Sequence, residues 1–374
     1  MKLVDRQRQL DALLLIFRDL WHPQPFREAR PDCWARWPGL VAELLALPDV
    51  RASALNVDGA LAQMFVARHI PEVAEVLSLA ELPACPAKSL AENRFQWDWE
   101  IPGRKRQQIE AFAAAARSAG QPILDWCGGK GHLGRLLADQ WQIPVSTLEI
   151  DPTLCVEGEL LARRSGVDQT FVLADALKLS SWPDQRHAVA LHACGELHRS
   201  LIRRGVSEGV TRFDVAPCCY HRGVDAQYQA LSLQPKLVLT RDDTRLAVTE
   251  SVTASPRAVR WREQATAWKL GFDAYRQTCT NGVYRTFKPV PETWMRAGFA
   301  GFMALMLGRE GLPPIDAVHI GHFEQLGWQR QREVTRLSVV RHAFRRPLEI
   351  WLALDLAVYL EERGYSARIA AERG

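Results

Sequence analysis

The stretch ILDWCGGKGHLGRLLA, Ile123 to Ala138, places four glycines and one acid within ten residues, Asp125 to Gly134, between two apolar runs. A short apolar run, a glycine-rich turn and an amphipathic pattern make a strand–turn–helix unit. The glycines clear the end of a buried strand so that a ligand can approach backbone N–H groups at the helix start. Such a unit needs a parallel sheet around it, and the following sequence supplies one. PVSTLEID, QTFVLAD, HAVALHACG and RFDVAPCC repeat the short apolar run at intervals of about 20 to 25 residues, with helical patterns between them. Five strands alternating with helices predict an α/β fold with a Rossmann-like, doubly wound parallel sheet.

Before and after this block the rhythm differs. From Leu3 to Leu90 apolar residues recur at helical spacing, as in LDALLLIFRDLW and PGLVAELLAL, which predicts an N-terminal helical domain over residues 1–95. Residues 96–374 then form the α/β domain, carrying a mostly helical insertion at about 225–345 in which LVLT and GVYRTFKP read as short strands. PLEIWLALDLAVYLEERGYSARIAA ends the pattern with an amphipathic helix, a stop at Gly364 and an edge strand. A chain of 374 residues is long enough for this division.

Composition excludes several classes. Apolar residues at 47% and charged residues at 24% are values of a folded globular chain. No stretch reaches the roughly 18 apolar residues of a membrane span, and MKLVDRQRQLDALLLIF lacks the pattern of a signal peptide. Eight cysteines without a framework spacing predict reduced thiols in a cytoplasm and no disulfide-linked partner. The first hundred residues hold 11 Lys and Arg against 14 Asp and Glu, the remainder 36 against 29. An acidic front and a basic body tilt the body towards a phosphate-rich partner, although such an excess also occurs on solvated surfaces.

Two ligands compete for the glycine turn. GKGHLG, Gly129 to Gly134, is G-x-G-x-x-G with Glu149 twenty residues on, the spacing of a dinucleotide site. DWCGGKG is instead an acid followed by a glycine turn, and it resembles the first motif of class I S-adenosylmethionine methyltransferases. That cofactor is a sulfonium cation with an amino group and no phosphate, so Asp125 would suit it and would repel a pyrophosphate. Glu149, ending the second strand, can accept both ribose hydroxyls, and Asp175, ending the third, can accept from the adenine amino group. Any one of these acids alone reads as a solvated acid or a helix cap. The three in register favour the methyl donor, with Asp125, Cys127, Gly128, Gly129, Gly131, Glu149, Asp175, Ala176 and His192 as cofactor-side candidates. Cys127 stands where D-x-G-x-G-x-G has its first glycine. The competing classes are a dinucleotide-binding oxidoreductase and a non-catalytic module that binds S-adenosylmethionine.

LHACGELH and APCCYHRG follow the fourth and fifth strands and face the same crevice. Zinc is one use of Cys194, Cys218, Cys219, His192, His198 and His221. The adjacent Cys218 and Cys219 lack C-x-x-C spacing, however, and their side chains are expected to diverge, so no metal is predicted. Thiolate addition to a pyrimidine, by Cys194 or Cys218, is a second use and needs a nearby positive charge such as Lys130 or His221. A shaped acceptor pocket is the third. There Pro217 fixes the turn, Tyr220 offers a platform, and His221 or His192 takes a proton. Cys218, Cys219, Tyr220 and His221 are thus the acceptor-side candidates, and Arg104, Lys105 and Arg106 read as a solvated helix start that can also meet a carboxylate or phosphate.

GRKRQQIEAF, ILDWCGGKGHLG, LHACGEL, PCCYHRG and PLEIWLALDLAVYLEERGY occur in the order found in the methyltransferase-like protein 25 family, which the chain resembles over about residues 100–222 and 345–370. Relatives of that family include the glutathione S-transferase C-terminal-domain-containing protein and the tRNA acceptor-stem 2′-O-methyltransferases. The resemblance implies a seven-stranded class I methyltransferase fold with a helical insertion. It also implies S-adenosylmethionine held through Asp125, Gly129, Gly131, Glu149 and Asp175. The tRNA branch brings forward an RNA acceptor, tRNA or rRNA, ahead of a protein or small molecule. The family pattern LDR reads LDL here, at Leu354, Asp355 and Leu356.

Overall fold

The computed structural model describes residues 1–92, 101–233, 235–248, 256–280, 282 and 284–371. Strands β1 (Ile123–Trp126), β2 (Val145–Glu149), β3 (Gln169–Leu173), β4 (His187–Ala190) and β5 (Arg212–Val215) form one sheet in the order β3-β2-β1-β4-β5. Every neighbouring pair is parallel. Alternate residues face opposite layers, as a pleat requires. Ile123, Val145 and Val189 pack with Ile109, Phe112, Leu133, Leu136 and Leu137 in one layer. Leu124, Trp126, Leu148, Ala188 and Ala190 pack with Leu201 and Val210 in the other. Because both faces are covered, β1 and β4 are buried throughout and read as continuous apolar runs broken only by Asp125 and His187. The strand order reverses between β1 and β4, so their carboxyl ends define the switch point at which open α/β sheets bind ligands.

The Rossmann-like expectation is met, while the seven strands implied by resemblance are not. Five strands are present among the described residues. The SARIAA segment is not an edge strand: Cys85 N–H donates to Ala371 O (2.7 Å) and Ala371 N–H to Pro83 O (3.0 Å), so its end pairs with an early loop instead of the sheet. LVLT, 237–240, also stays outside the sheet, because the N–H groups of Lys236 and Leu237 are taken by the Asp11 carboxylate. In GVYRTFKP, Val283 lies outside the described residues, and 284–289 is irregular.

The domain boundaries differ from the expected 1–95 and 96–374. The chain divides into one unit of Met1–Leu14, Ser78–Val248 and Pro347–Gly374, which holds the sheet, and another of Leu15–Leu77 and Thr249–Arg346. The front helices and the insertion therefore form one helical unit. Polar side chains explain why. Gln63 and Arg345 donate to Ala343 O (3.1 Å) and Asn56 O (2.9 Å), Asn56 to Thr335 O (2.7 Å), and Arg336 and Arg341 to Leu47 O (2.7 Å) and Trp21 O (2.9 Å). Ends of the front helices are thereby satisfied by the long helix Ala317–Ala343 and its continuation. This long helix touches the helix Pro256–Cys279 at Gly327, where a Cβ would strike Ala267 O and the backbone of Gly271. Phe272, Phe299, Phe302, Met303 and Met306 fill the space beside them.

In the sheet unit Asp355 is buried and accepts from Tyr228 Oη (2.8 Å), Leu231 N–H (3.0 Å), Ser232 N–H (2.9 Å) and Ser232 Oγ (2.7 Å). Removing an acceptor that serves four donors leaves buried N–H and O–H groups unpaired. Asp355→Ala is expected to cost the sheet unit about 3 kcal/mol, read as a lower urea midpoint at unchanged slope, whereas Asp184→Ala, at an exposed position, is expected to leave the unfolding free energy within about 0.5 kcal/mol.

Candidate active site

Asp125 is the penultimate residue of β1 and is 1% exposed. Its Oδ2 accepts from Gly134 N–H (3.1 Å) and from Thr147 Oγ1 (3.4 Å), and Gln169 Nε2 donates both to Thr147 Oγ1 (2.8 Å) and to Gly131 O (2.9 Å). The register Asp125↔Thr147 and the pairing of β2 with β3 bring these side chains onto one face, directly beneath the glycine turn. A Cβ on Gly128 would run into Asp125 and Thr147, and one on Gly131 or Gly134 into Gln169. These glycines are small because a buried polar ladder lies under them. Gly129 differs, since its Cβ position faces open space. Asp125 thus shapes the turn from below, a different position from the ligand-facing acid expected at the strand end. Burial raises its pKa from 3.8 to about 6, against the lowering effect of the Gly134 and Thr147 hydrogen bonds and Lys105.

The turn keeps its bend although Cys127 replaces a glycine. Cys127 sits at φ 57°, in the left-handed region that costs an ordinary residue about 1–2 kcal/mol. Burial together with the fields of Glu149, Asp125, Asp175 and Cys194 pushes its thiol up to about 12, so it stays neutral. Glu149 is buried, with Oε2 accepting from Gly129 N–H (3.0 Å) and Oε1 from the N–H groups of Ile150 (2.8 Å) and Asp151 (3.0 Å). Asp175 is partly exposed and accepts from Leu177 N–H (3.0 Å). Ala176 is buried in the layer that covers Trp126 and offers the site only its backbone.

Cations lie close to these acids. Lys105, on the helix Gly103–Ala115, is half-buried, and burial lowers its pKa while Asp125 raises it. Its field also reaches His132 and His192. His132 is held down at about 3 by burial, Arg135 and the two lysines, and its Nδ1 meets Arg135 at 2.6 Å. Lys105 was legible only as part of a basic run; its neighbourhood with Asp125 depends on how that helix docks. Thr147 and Gln169, the other residues that sequence reasoning passed over, look in the sequence like ordinary strand positions.

The loops after β4 and β5 are tied by backbone. Gly195 N–H donates to Cys218 O (3.0 Å) and Glu196 N–H to Arg222 O (3.0 Å). A Cβ on Gly195 would overlap Arg222 O, and one on Gly223 would crowd Glu196, so both glycines permit this approach. Contrary to expectation, the adjacent cysteines converge. Cys219 adopts φ 45°, and the Sγ atoms of Cys194, Cys218 and Cys219 all lie within 4.8 Å of one another. Hydrogen bonds from Cys218 and Cys219, together with Arg222, lower Cys194 to about 6 despite its burial. Its shared proton drives Cys218 upward, with burial adding to this; burial raises Cys219.

Tyr220 is not an open platform. It is buried, with its ring edge-on to His198 at 5.4 Å and 83°. His192 is exposed and His221 partly so. Desolvation and Lys105 lower His192, and desolvation with Arg245, Arg222 and Arg241 lowers His221. Both imidazoles are therefore neutral near pH 7 and can accept a proton.

A Rossmann-like sheet whose switch-point crevice is rimmed by Glu149, Asp175 and cysteine and histidine loops, with Asp125 beneath its glycine turn, defines the class of site. Residues 104–225 match the family model of a methyltransferase domain. A glutathione S-transferase C-terminal domain-containing protein homolog of Drosophila pseudoobscura pseudoobscura is 30% identical over 137 residues, covering 31% of this chain. The chain spans 20% of the length of that relative. Among solved structures, the chain is similar to the Pyrococcus abyssi tRNA (uracil-54, C5)-methyltransferase in complex with S-adenosyl-L-homocysteine, at 19% identity, 30% of this chain, 28% of that one and TM-score 0.26. It is also similar to coclaurine N-methyltransferase bound to N-methylheliamine and SAH, at 11% identity, 83% of this chain, 94% of that one and TM-score 0.28. No helix among the described residues is long and apolar enough to cross a membrane.

Two outcomes test this geometry. Cys127→Gly relieves the left-handed strain and is expected to leave unfolding free energy unchanged or raised by up to about 1 kcal/mol, while Cys127→Val should lower it by about 2 kcal/mol or more. Asp125 has a folded pKa above its unfolded one, so its contribution is fully present below pH 3.8 and is lost as the pH rises through about 6. Unfolding free energy of the wild type relative to Asp125→Asn is therefore expected to fall by a few kcal/mol between those limits. A parallel pH dependence in both proteins, measured by urea titration, would contradict this.

Proposed function

We propose that the sheet unit binds S-adenosylmethionine and transfers its methyl group to an RNA. The observation that carries the first half is the convergence of Asp125, Glu149 and Asp175 on the turn around Cys127. Glu149 and the partly exposed Asp175 favour a cationic, hydroxyl-rich ligand and disfavour a pyrophosphate, while Asp125 holds the turn from beneath. The match of residues 104–225 to a methyltransferase domain supports the same reading.

When bound, the cofactor supplies an electrophilic methyl carbon on a sulfonium. The protein's part is binding and positioning. Open space at Gly129 lets a ligand approach the backbone. Glu149, pre-oriented by three N–H donors, retains acceptor capacity for ribose hydroxyls. Asp175 is available to an amino group, and Lys105 is available to a carboxylate. His192 or His221, both neutral, takes the proton that a hydroxyl or amine acceptor releases.

RNA is favoured by exposed Arg222, Arg241 and Arg245, whose fields meet at His221 on the acceptor loop. Cations grouped beside the acceptor loop fit phosphate contacts. In calorimetry, S-adenosylmethionine is expected to bind, with Glu149→Ala weakening it by about 10-fold or more. Tighter binding of NAD would favour the oxidoreductase instead. Tritium from labelled cofactor, offered with fractionated lysate, is expected in RNA, and transfer by Arg222→Ala/Arg241→Ala should lose part of its salt dependence. Cofactor uptake with no label in any fraction would leave a binding module. Label confined to protein or metabolites would reject RNA.

A further inference from the structure

The convergence of Cys194, Cys218 and Cys219 exceeds what packing or an acceptor pocket requires. All three are free, partly accessible thiols, with their Sγ atoms mutually within 4.8 Å and 3.5 Å between Cys194 and Cys218. Three thiolates on a tetrahedral zinc at about 2.3 Å lie roughly 3.8 Å from one another. The observed spread brackets that spacing, so an ion can enter by small side-chain rotations. The backbone is already arranged for it. Cys194 and Cys218 oppose each other in an isolated parallel bridge, Gly195 N–H holds Cys218 O, and Arg222 N–H holds Cys219 O at 2.9 Å. The left-handed turn at Cys219 brings the second of two adjacent cysteines to the same point as the first. A disulfide would engage two of these sulfurs and leave the third without a role.

We infer that Cys194, Cys218 and Cys219 bind one Zn²⁺ through three thiolates, leaving a fourth coordination position that water or an acceptor group can take. No fourth His, Cys, Asp or Glu among the described residues joins the group. Three protein ligands with one open position are the arrangement of reactive zinc sites, whereas structural sites are closed by four. Thiolate donors select zinc over magnesium, calcium or manganese. Thiol protons leave to solvent as each S–Zn bond forms, so no oxidant or reductant is needed. The ion would fasten the loops after β4 and β5 to each other at the mouth of the crevice. This site stands independently of the cofactor assignment.

The full chain, purified without a histidine tag under reducing conditions, is expected to carry about one zinc by elemental analysis. In competition with a chromophoric chelator, Cys194→Ser, Cys218→Ser and Cys219→Ser should each weaken zinc by more than about 100-fold, since even outer-sphere changes cost about 10–100-fold. Cys279→Ser, at an exposed cysteine elsewhere, should change nothing. Should the variants fail to fold, cobalt(II) added to the wild-type apoprotein reads the same point, because sulfur-to-cobalt charge-transfer intensity counts three thiolates. Binding of S-adenosylmethionine, followed separately by calorimetry, tells failure of the metal site from failure of the cofactor reading. Zinc affinity unchanged in the serine variants, a different resident ion, no charge-transfer band with cobalt, or a Cys194–Cys218 disulfide in the reduced preparation would each overturn the inference.

Discussion

The hydrogen bond from Gly134 N–H to Asp125 Oδ2 determines much of what surrounds it. It joins the end of β1 to the helix His132–Trp141, and so sets how the glycine turn crosses the sheet. A carboxylate in that position is costly, being buried, and is tolerated because Thr147 and the backbone share it. Gln169 extends the ladder to a third strand and supports Gly131 O from below. Close packing then dictates small residues above it, since Gly128, Gly131 and Gly134 each have a side chain where a Cβ would lie. Gly129 differs from them: open space lies at its Cβ position, its backbone is left-handed at φ 61°, and its N–H is the one that Glu149 fixes.

Much of this sheet was legible in the sequence because burial on both faces writes short apolar runs, and because turns write glycine. All five strands fall where the runs predict them. The division into units was not legible. Residues 15–77 and 249–346 are far apart in sequence, and each reads as helix, but the hydrogen bonds from Asn56, Gln63, Arg336 and Arg341 that join them leave no periodic trace. LVLT stays out of the sheet for a related reason. LVLT has strand composition, yet Asp11, more than two hundred residues earlier, takes the N–H groups a sheet neighbour would need.

At the site, residue types were easier to read than orientations. Asp125, Glu149 and Asp175 do surround one turn, as their places at strand ends predict. That Asp125 lies beneath the turn depends on Thr147 and Gln169, whose roles need the strand register to be known. Tyr220 reads as a stacking surface because it is an aromatic beside two cysteines. Its contact with His198 comes from the docking of the helix Glu196–Ser207 and is invisible in the motif. Lys105 was discounted for the opposite reason, since a Lys between two Arg looks like solvated charge until burial is known.

Among the described residues, cysteine occupies two of the three left-handed positions held by residues other than glycine, at 127 and 219, and both lie on loops at the carboxyl edge of the sheet. Backbone strain is retained where surrounding structure over-determines it. At Cys127 the constraint is the turn, which needs the conformation whatever residue is present; the surrounding acids keep the thiol protonated, adding no further charge to an acidic crevice. At Cys219 the constraint is different, because no glycine turn requires it and the result is a third sulfur beside Cys194 and Cys218. One crevice edge therefore carries two chemistries in separate sectors, oxygen acids over β1 to β3 and sulfur over β4 and β5.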